Sequence, residues 1–91
     1  MEGMMNEKKT LTVDELREGL SEELGARVRE LRRNKGLRQT GLAELIGCSS
    51  EQISNIEKGK HAPGVWTIAA IALALETTPD KLIGVDLIGR M

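Results

Sequence analysis

Between Ser50 and Lys58, five outward positions carry Ser50, Glu51, Ser54, Asn55 and Lys58, while Ile53 and Ile56 turn inward at helical spacing. Hydroxyl, amide and carboxylate groups on a slim helical rod are what a DNA major groove accepts, being wide enough for one α-helix. An Asn or Gln amide can pair bidentately with adenine N6 and N7, and a Glu carboxylate can accept from cytosine N4. Each good pair is worth ~1–3 kcal/mol of discrimination.

That rod needs elements to hold it. A second helical pattern, Gln39 to Ile46, precedes it across a three-residue turn, Gly47-Cys48-Ser49. The apolar positions Leu42, Ala43, Ile46, Ile53 and Ile56 can meet inside that turn. A helix that stops and restarts so quickly needs a residue at positive φ, which Gly47 adopts cheaply. Ser49 then reads as an N-cap with Gln52 closing a capping box, and Cys48 is expected to point into the core.

Upstream, residues 1–10 read as disordered. Thr12-Val13-Asp14-Glu15 fits a capping box for a short helix over 12–19, ending near Gly19. Ser21 can cap the next helix, with Glu22 and Glu23 in its first turn, running to about Lys35 before Gly36. Leu24, Val28, Leu31 and Lys35 share one of its faces.

Downstream, Pro63-Gly64 precedes a helix from Val65 that is apolar nearly all round. Ile68, Ile71, Ala72 and Leu75 fit a core; Trp66, Ala70 and Leu73 form a second stripe at i, i+4, i+7. That stripe calls for a cover: the Leu11–Leu20 extension, the C-terminal tail, or a partner chain. Thr78-Pro79 opens a last short helix through Ile83. Beyond it Ile83, Val85 and Leu87 alternate like a strand, in a run too short to decide.

Ninety-one residues make one small domain, 30% charged and 40% hydrophobic, with Trp66 as the lone aromatic, so the core must be aliphatic. The single cysteine suits a reducing cytoplasm. No apolar run follows Lys8-Lys9, so no secretory signal is expected, and no stretch approaches the ~20 apolar residues of a membrane span. Net charge is −1, but it is unevenly spread. Residues 1–26 hold seven acids against three bases, 27–61 eight bases against four acids, and 62–91 three acids against two bases. The basic block coincides with the paired helices. Alone it reads as a solvated helix face; beside the turn, it favours phosphate, because local potential decides attraction within a Debye length of ~10 Å. An enzyme is not expected: there is one His, one Cys, no Tyr and no glycine-rich phosphate loop. The pairs Asp14-Glu15 and Glu22-Glu23 diverge on their helices. His61 lacks a second His or a Cys pair to complete a metal site, and no cofactor is implied.

Residues 24–83 resemble the helix-turn-helix domain of the Cro/repressor (XRE-type) family, through Gln39, Leu42-Ala43, Ile46-Gly47, Ser49, Ile53-Ser54, Ile56-Glu57, Gly59-Lys60 and Pro63. The resemblance implies an all-α, five-helix, lambda-repressor-like domain over 21–84. A short extension over 1–20 would precede it, and a tail over 85–91 would follow as a dimer contact. It carries base contacts onto Ser49, Ser50, Glu51, Gln52 and Asn55. Phosphate contacts fall on Arg38, Gln39, Thr40, Ser54, Lys58, Lys60 and His61. Arg32 and Glu57 match the family's buried ion pair, and Trp66, Ala70 and Leu73 are left for a dimer or extension contact. Gln52 has a second role as the box residue and Glu51 as a complement to the helix dipole; Asn55 has no such structural duty. The chain departs from the family at Ser50 and Asn55, often Arg or Lys there, at Arg38, usually Ser, and at Gly41. The implied function is a cytoplasmic, sequence-specific repressor that binds a near-palindromic operator in double-stranded DNA as a homodimer. Alternatives are an antitoxin-type regulator coupled to a small protein partner, and a protein-interaction module on the same fold.

Overall fold

Each helix contributes one fully buried aliphatic side chain to a single core. The computed structural model describes residues 12–83, and these form α1 (Val13–Asn34), α2 (Gln39–Ile46), α3 (Ser50–Glu57), α4 (Val65–Ala74) and α5 (Pro79–Ile83). In that order the five are Val28, Leu42, Ile53, Ile71 and Leu82. Around them lie Leu24, Ala43, Ile56, Ala72 and Leu75, with Leu31, Leu37, Ile46, Cys48, Ile68 and Ala74 at the margin. Fully burying such a side chain is worth ~1.5–3 kcal/mol, so the core is held by aliphatic packing shared across all five elements. Among the described residues there is no strand. The helix α2 packs on α3 and α4; α1 crosses α3, and α5 closes the far end against α1 and α4.

The N-terminal region departs from expectation. The helix over 12–19 and the helix from Ser21 are one continuous rod, α1. The Thr12 capping box is present: the Glu15 N–H donates to Thr12 Oγ1 at 3.1 Å and the Thr12 N–H to Glu15 Oε1 at 3.0 Å. Ser21 is not a cap. It is buried inside the helix, its hydroxyl donating back to the Arg17 carbonyl at 2.6 Å. Continuation wins because Leu16, Leu20, Leu24 and Val28 form an unbroken i, i+4 stripe across the expected break. Gly19, exposed and with nothing near it, weakens the helix by only about 1 kcal/mol. The first turns of α1 border an apolar groove with Ala62, Pro63, Ile68 and Ile83; they do not cover the Trp66 stripe. The expectations for residues 1–10 and for the tail over 85–91 lie outside the described residues.

Gly41 has no packing reason. A Cβ there would meet only Leu37 Cδ2, at an ordinary 3.5 Å. Gly41→Ala is therefore expected to stabilise the domain by about 0.5–1 kcal/mol, the helix-propensity difference, read as a rise in the urea midpoint without a change in slope.

Candidate nucleic-acid interface

The helix α3 is fixed at both ends. At its start Ser49 is extended (φ −89°, ψ 155°) and its hydroxyl accepts from the Gln52 N–H at 3.1 Å. In return the Ser49 N–H donates to Gln52 Oε1 at 3.1 Å. The tight entry depends on Gly47 at φ +77°, whose N–H and that of Cys48 both reach the Ala43 carbonyl. Cys48 is half-buried at the core margin rather than inside it, and burial pushes its thiol up from the usual range.

At the other end Glu57, whose side chain is 1% exposed, anchors the rod. It accepts from Arg32 Nε at 2.6 Å, Arg32 Nη2 at 3.1 Å and Gln39 Nε2 at 3.0 Å. The Arg32 fork is completed by Nη1 donating to the Leu37 carbonyl at 2.7 Å. Arg29 Nε lies 3.9 Å from the same carboxylate. Hydrogen bonding to Glu57 raises the Arg32 guanidinium further above its ordinary value, against the cost of burial. One carboxylate thus ties α1, α2 and α3 together, and the angle between α2 and α3 is set by charge-assisted bonds.

The approach of α1 to α3 is closer than the sequence reading anticipated. A Cβ on Gly25 would collide with the Ile56 carbonyl oxygen and stand 2.7 Å from that of Glu57. Gly59, at φ +73°, likewise sits 3.1 Å from Glu22 Cα by its virtual Cβ. The available signal was a glycine on the inner face of an amphipathic helix, at i, i+3, i+7 with Val28 and Arg32, which marks close approach more often than looseness.

The outward residues divide into engaged and open groups. Glu51 is exposed on the first turn of α3; Ser50, Ser54 and Asn55 are half-buried, and Lys58 is exposed at the C-cap. The Asn55 side-chain amide makes no hydrogen bond with another described residue; the backbone carbonyl of Asn55 accepts from the Lys60 N–H at 3.0 Å. Gln52 differs: its carbonyl oxygen is occupied by the capping box, so a bidentate pair with adenine would require the box to open. Ser49 is occupied in the same way.

Gln39 and Arg38 lie at the start of α2. Arg38 is extended and provides no side-chain cap, so the first N–H groups of that helix, including those of Gln39 and Thr40, have no side-chain acceptor. One amide donor of Gln39 is held by Glu57 and its other remains. Lys60 and His61 are exposed in the loop after α3. Several cations of the basic block are neutralised within the chain: Arg27 pairs with Glu23 at 3.1 Å and Lys35 with Glu76 at 2.7 Å. Lys35 also holds the exposed Glu76 carboxyl below its usual range. Arg33, Arg38, Lys58 and Lys60 pair with no acid among the described residues. No cluster of three His, Cys, Asp or Glu suited to a metal occurs among the described residues. No helix among them is long and apolar enough to cross a membrane.

Trp66 and Leu73 lie on the outer face of α4, 85% and 80% exposed, with Ala70 between them half-buried.

Comparison with known proteins places this geometry. The profile of the helix-turn-helix domain family matches residues 23–82. The ImmF control region 10 kDa protein of Bacillus phage phi105 is 36% identical over 52 residues, 57% of this chain and 58% of that protein. Repressor protein C2 of Salmonella phage P22 is 33% identical over 64 residues, 70% of this chain and 30% of that protein. The chain thus spans less than two thirds of either relative. Among solved structures, the restriction-modification controller protein C.AhdI from Aeromonas hydrophila aligns at a TM-score of 0.66 with 35% identity, covering 68% of this chain and 94% of that one. The P22 c2 repressor in complex with a synthetic operator aligns at 0.65 with 31% identity, covering 67% and 92%.

Proposed function

The chain belongs to the Cro/repressor-like helix-turn-helix family, whose members are DNA-binding regulators and not enzymes, and on that premise we propose that it is a cytoplasmic, sequence-specific transcriptional repressor of double-stranded DNA. The observation that carries the proposal is the open, polar outer face of α3, held rigidly by the Ser49 capping box and the Arg32–Glu57–Gln39 cluster. Ser50, Glu51 and Asn55 read base edges, with Asn55 the main discriminator because its amide is uncommitted. Ser49 and Gln52 hold the rod in register and contact the bases only through their remaining polar atoms. The free N–H groups at the start of α2, with Arg38, Gln39 and Thr40, bind one phosphate. Ser54, Lys58, Lys60 and His61 bind the phosphates across the groove. Residues 21–84 are the DNA-binding unit.

One reading head of this size covers few base pairs, so the repressor acts as a homodimer on a near-palindromic operator. Its half-sites lie ~34–36 Å apart, about one helical turn. Occupancy then blocks polymerase. The log of the affinity should fall with the log of salt at about −0.9 per neutralised phosphate.

A second reading, regulation through a small protein partner, is favoured by the Trp66–Leu73 stripe, which is exposed among the described residues. Co-purification of a second small protein at fixed stoichiometry would support it.

Selection of bound duplexes from a random pool tests the proposal. Two-fold sites should emerge. Asn55→Ala should relax preference at one position per half-site, losing ~1–3 kcal/mol of discrimination there and leaving non-specific binding nearly intact. An unchanged selected sequence would remove Asn55 as a reader, and a pool with no enrichment would remove the DNA function.

A further inference from the structure

The outer face of α3 is built to accept hydrogen bonds. Ser50, Glu51, Ser54 and Asn55 face outward on its first two turns, and none of them is a cation. Lys58, the first cation on that face, stands at the C-cap. Arg and Lys are the usual partners of guanine O6 and N7, and neither is present near the start of the helix. Glu51 is exposed, and its carboxylate pairs with no cation among the described residues. The Asn55 side-chain amide is uncommitted as well, whereas the Gln52 oxygen is held by the Ser49 N–H at 3.1 Å. Two strong readers remain. Glu51, when ionised, can only accept; Asn55 offers one acceptor oxygen beside its two donor hydrogens.

The major groove presents only two kinds of donor, the N6 amine of adenine and the N4 amine of cytosine. A carboxylate is matched by cytosine N4 and opposed by the acceptors of guanine and thymine. A primary amide is matched by adenine, N6 giving to its oxygen and N7 accepting from its nitrogen. On the major-groove reading above, on which this inference rests, we propose that α3 reads exocyclic amines, cytosine N4 through Glu51 and adenine N6 through Asn55. A methyl group on either amine then releases the protein from its operator. Residues 51 and 55 are i, i+4 neighbours, ~6 Å apart along the helix. With bases stepping by ~3.4 Å, the two amines lie within about two base pairs of each other in one half-site.

The chemistry of the modified base makes the response sharp. Each amine carries two hydrogens. One is used in the Watson–Crick pair, and the other projects into the major groove. In a paired duplex a single methyl group takes the second place. It removes the hydrogen that the side chain accepts and sets a carbon against the waiting oxygen. An acceptor desolvated without its donor is then left at the interface. Methylation at C5 of cytosine leaves the N4 hydrogen where it is. The site therefore separates amine methylation from C5 methylation, and the modification state of the operator becomes a signal the repressor responds to.

Titration of the full chain, at fixed salt, with synthetic duplexes of the selected sequence tests this. The duplexes carry N6-methyladenine, N4-methylcytosine or 5-methylcytosine at one position at a time. One N6-methyladenine position per half-site, and one N4-methylcytosine position within about two base pairs of it, should each weaken binding on the order of 10-fold. The 5-methyl group at that same cytosine should weaken it far less. N55A should lose the response to N6-methyladenine and keep the response to N4-methylcytosine; E51A should do the reverse. Each ratio compares methylated with unmethylated duplex for one variant, so a general loss of affinity or stability cancels. Equal affinity for modified and unmodified duplexes at every amine would overturn the amine reading and leave sequence-specific DNA binding standing. Sensitivity that persists unchanged in both N55A and E51A would assign the response to DNA shape and overturn the two residues as its readers. A pool that yields no enriched duplex would remove the DNA reading itself.

Discussion

Glu57→Ala should cost about 3–5 kcal/mol of folding free energy, the usual consequence of removing one partner from a buried ion pair. The carboxylate is 1% exposed and accepts three hydrogen bonds, two from Arg32 and one from Gln39. Its loss leaves a guanidinium buried with only the Leu37 carbonyl for company. A domain of this length holds ~5–14 kcal/mol in total, so the variant should unfold at markedly lower urea and lose DNA affinity with its fold. The cause can be separated from simple loss of contact. Arg32→Met combined with Glu57→Leu removes both charges and keeps bulk, and should recover much of the stability. It should not recover DNA affinity, because Gln39 no longer has its anchor. A stable, folded Glu57→Ala protein would show that the cluster does not hold α3 in place.

Gly25→Ala should be the more informative small change. In an exposed helix interior, alanine would gain about 1 kcal/mol over glycine. Here its Cβ meets two backbone carbonyl oxygens at the end of α3, those of Ile56 and Glu57. Backbone cannot rotate aside as a side chain can, so α1 must lift from α3, a displacement of the kind that costs about 1–3 kcal/mol. The net expectation is destabilisation by up to about 2 kcal/mol, opposite in sign to Gly41→Ala on the next helix. Paired urea titrations of the two variants check this; a stabilised Gly25→Ala protein would contradict the close crossing.

Much of the fold was legible because local signals agreed. Gly47, the Ser49–Gln52 box and the inward Ile53 and Ile56 place α2, the turn and α3 within a residue of where the structure has them. Pro79 opens α5 and Leu82 closes the core beneath it. The expected break at Gly19–Ser21 does not occur, because Ser can cap a helix or bond back to its own preceding turn, and only the stripe from Leu16 to Val28 decides which. The role of Gly25 is not legible in the sequence because glycine records an absence: nothing there states which backbone will fill the space. Within the candidate site, residue types on the α3 face were readable from periodicity. The commitment of Gln39 to Glu57 was not, since hydrogen-bond partners distant in sequence leave no periodic trace.

Backbone amide shifts measured by NMR during titration with a selected duplex test the central claim most directly. The account predicts that the largest changes fall on Ser50, Glu51 and Asn55 and on the first turn of α2, with residues of the acidic N-terminal half of α1 unmoved. Large shifts confined to α1 or to the outer face of α4, with Ser50 to Asn55 unchanged at saturating duplex, would contradict it.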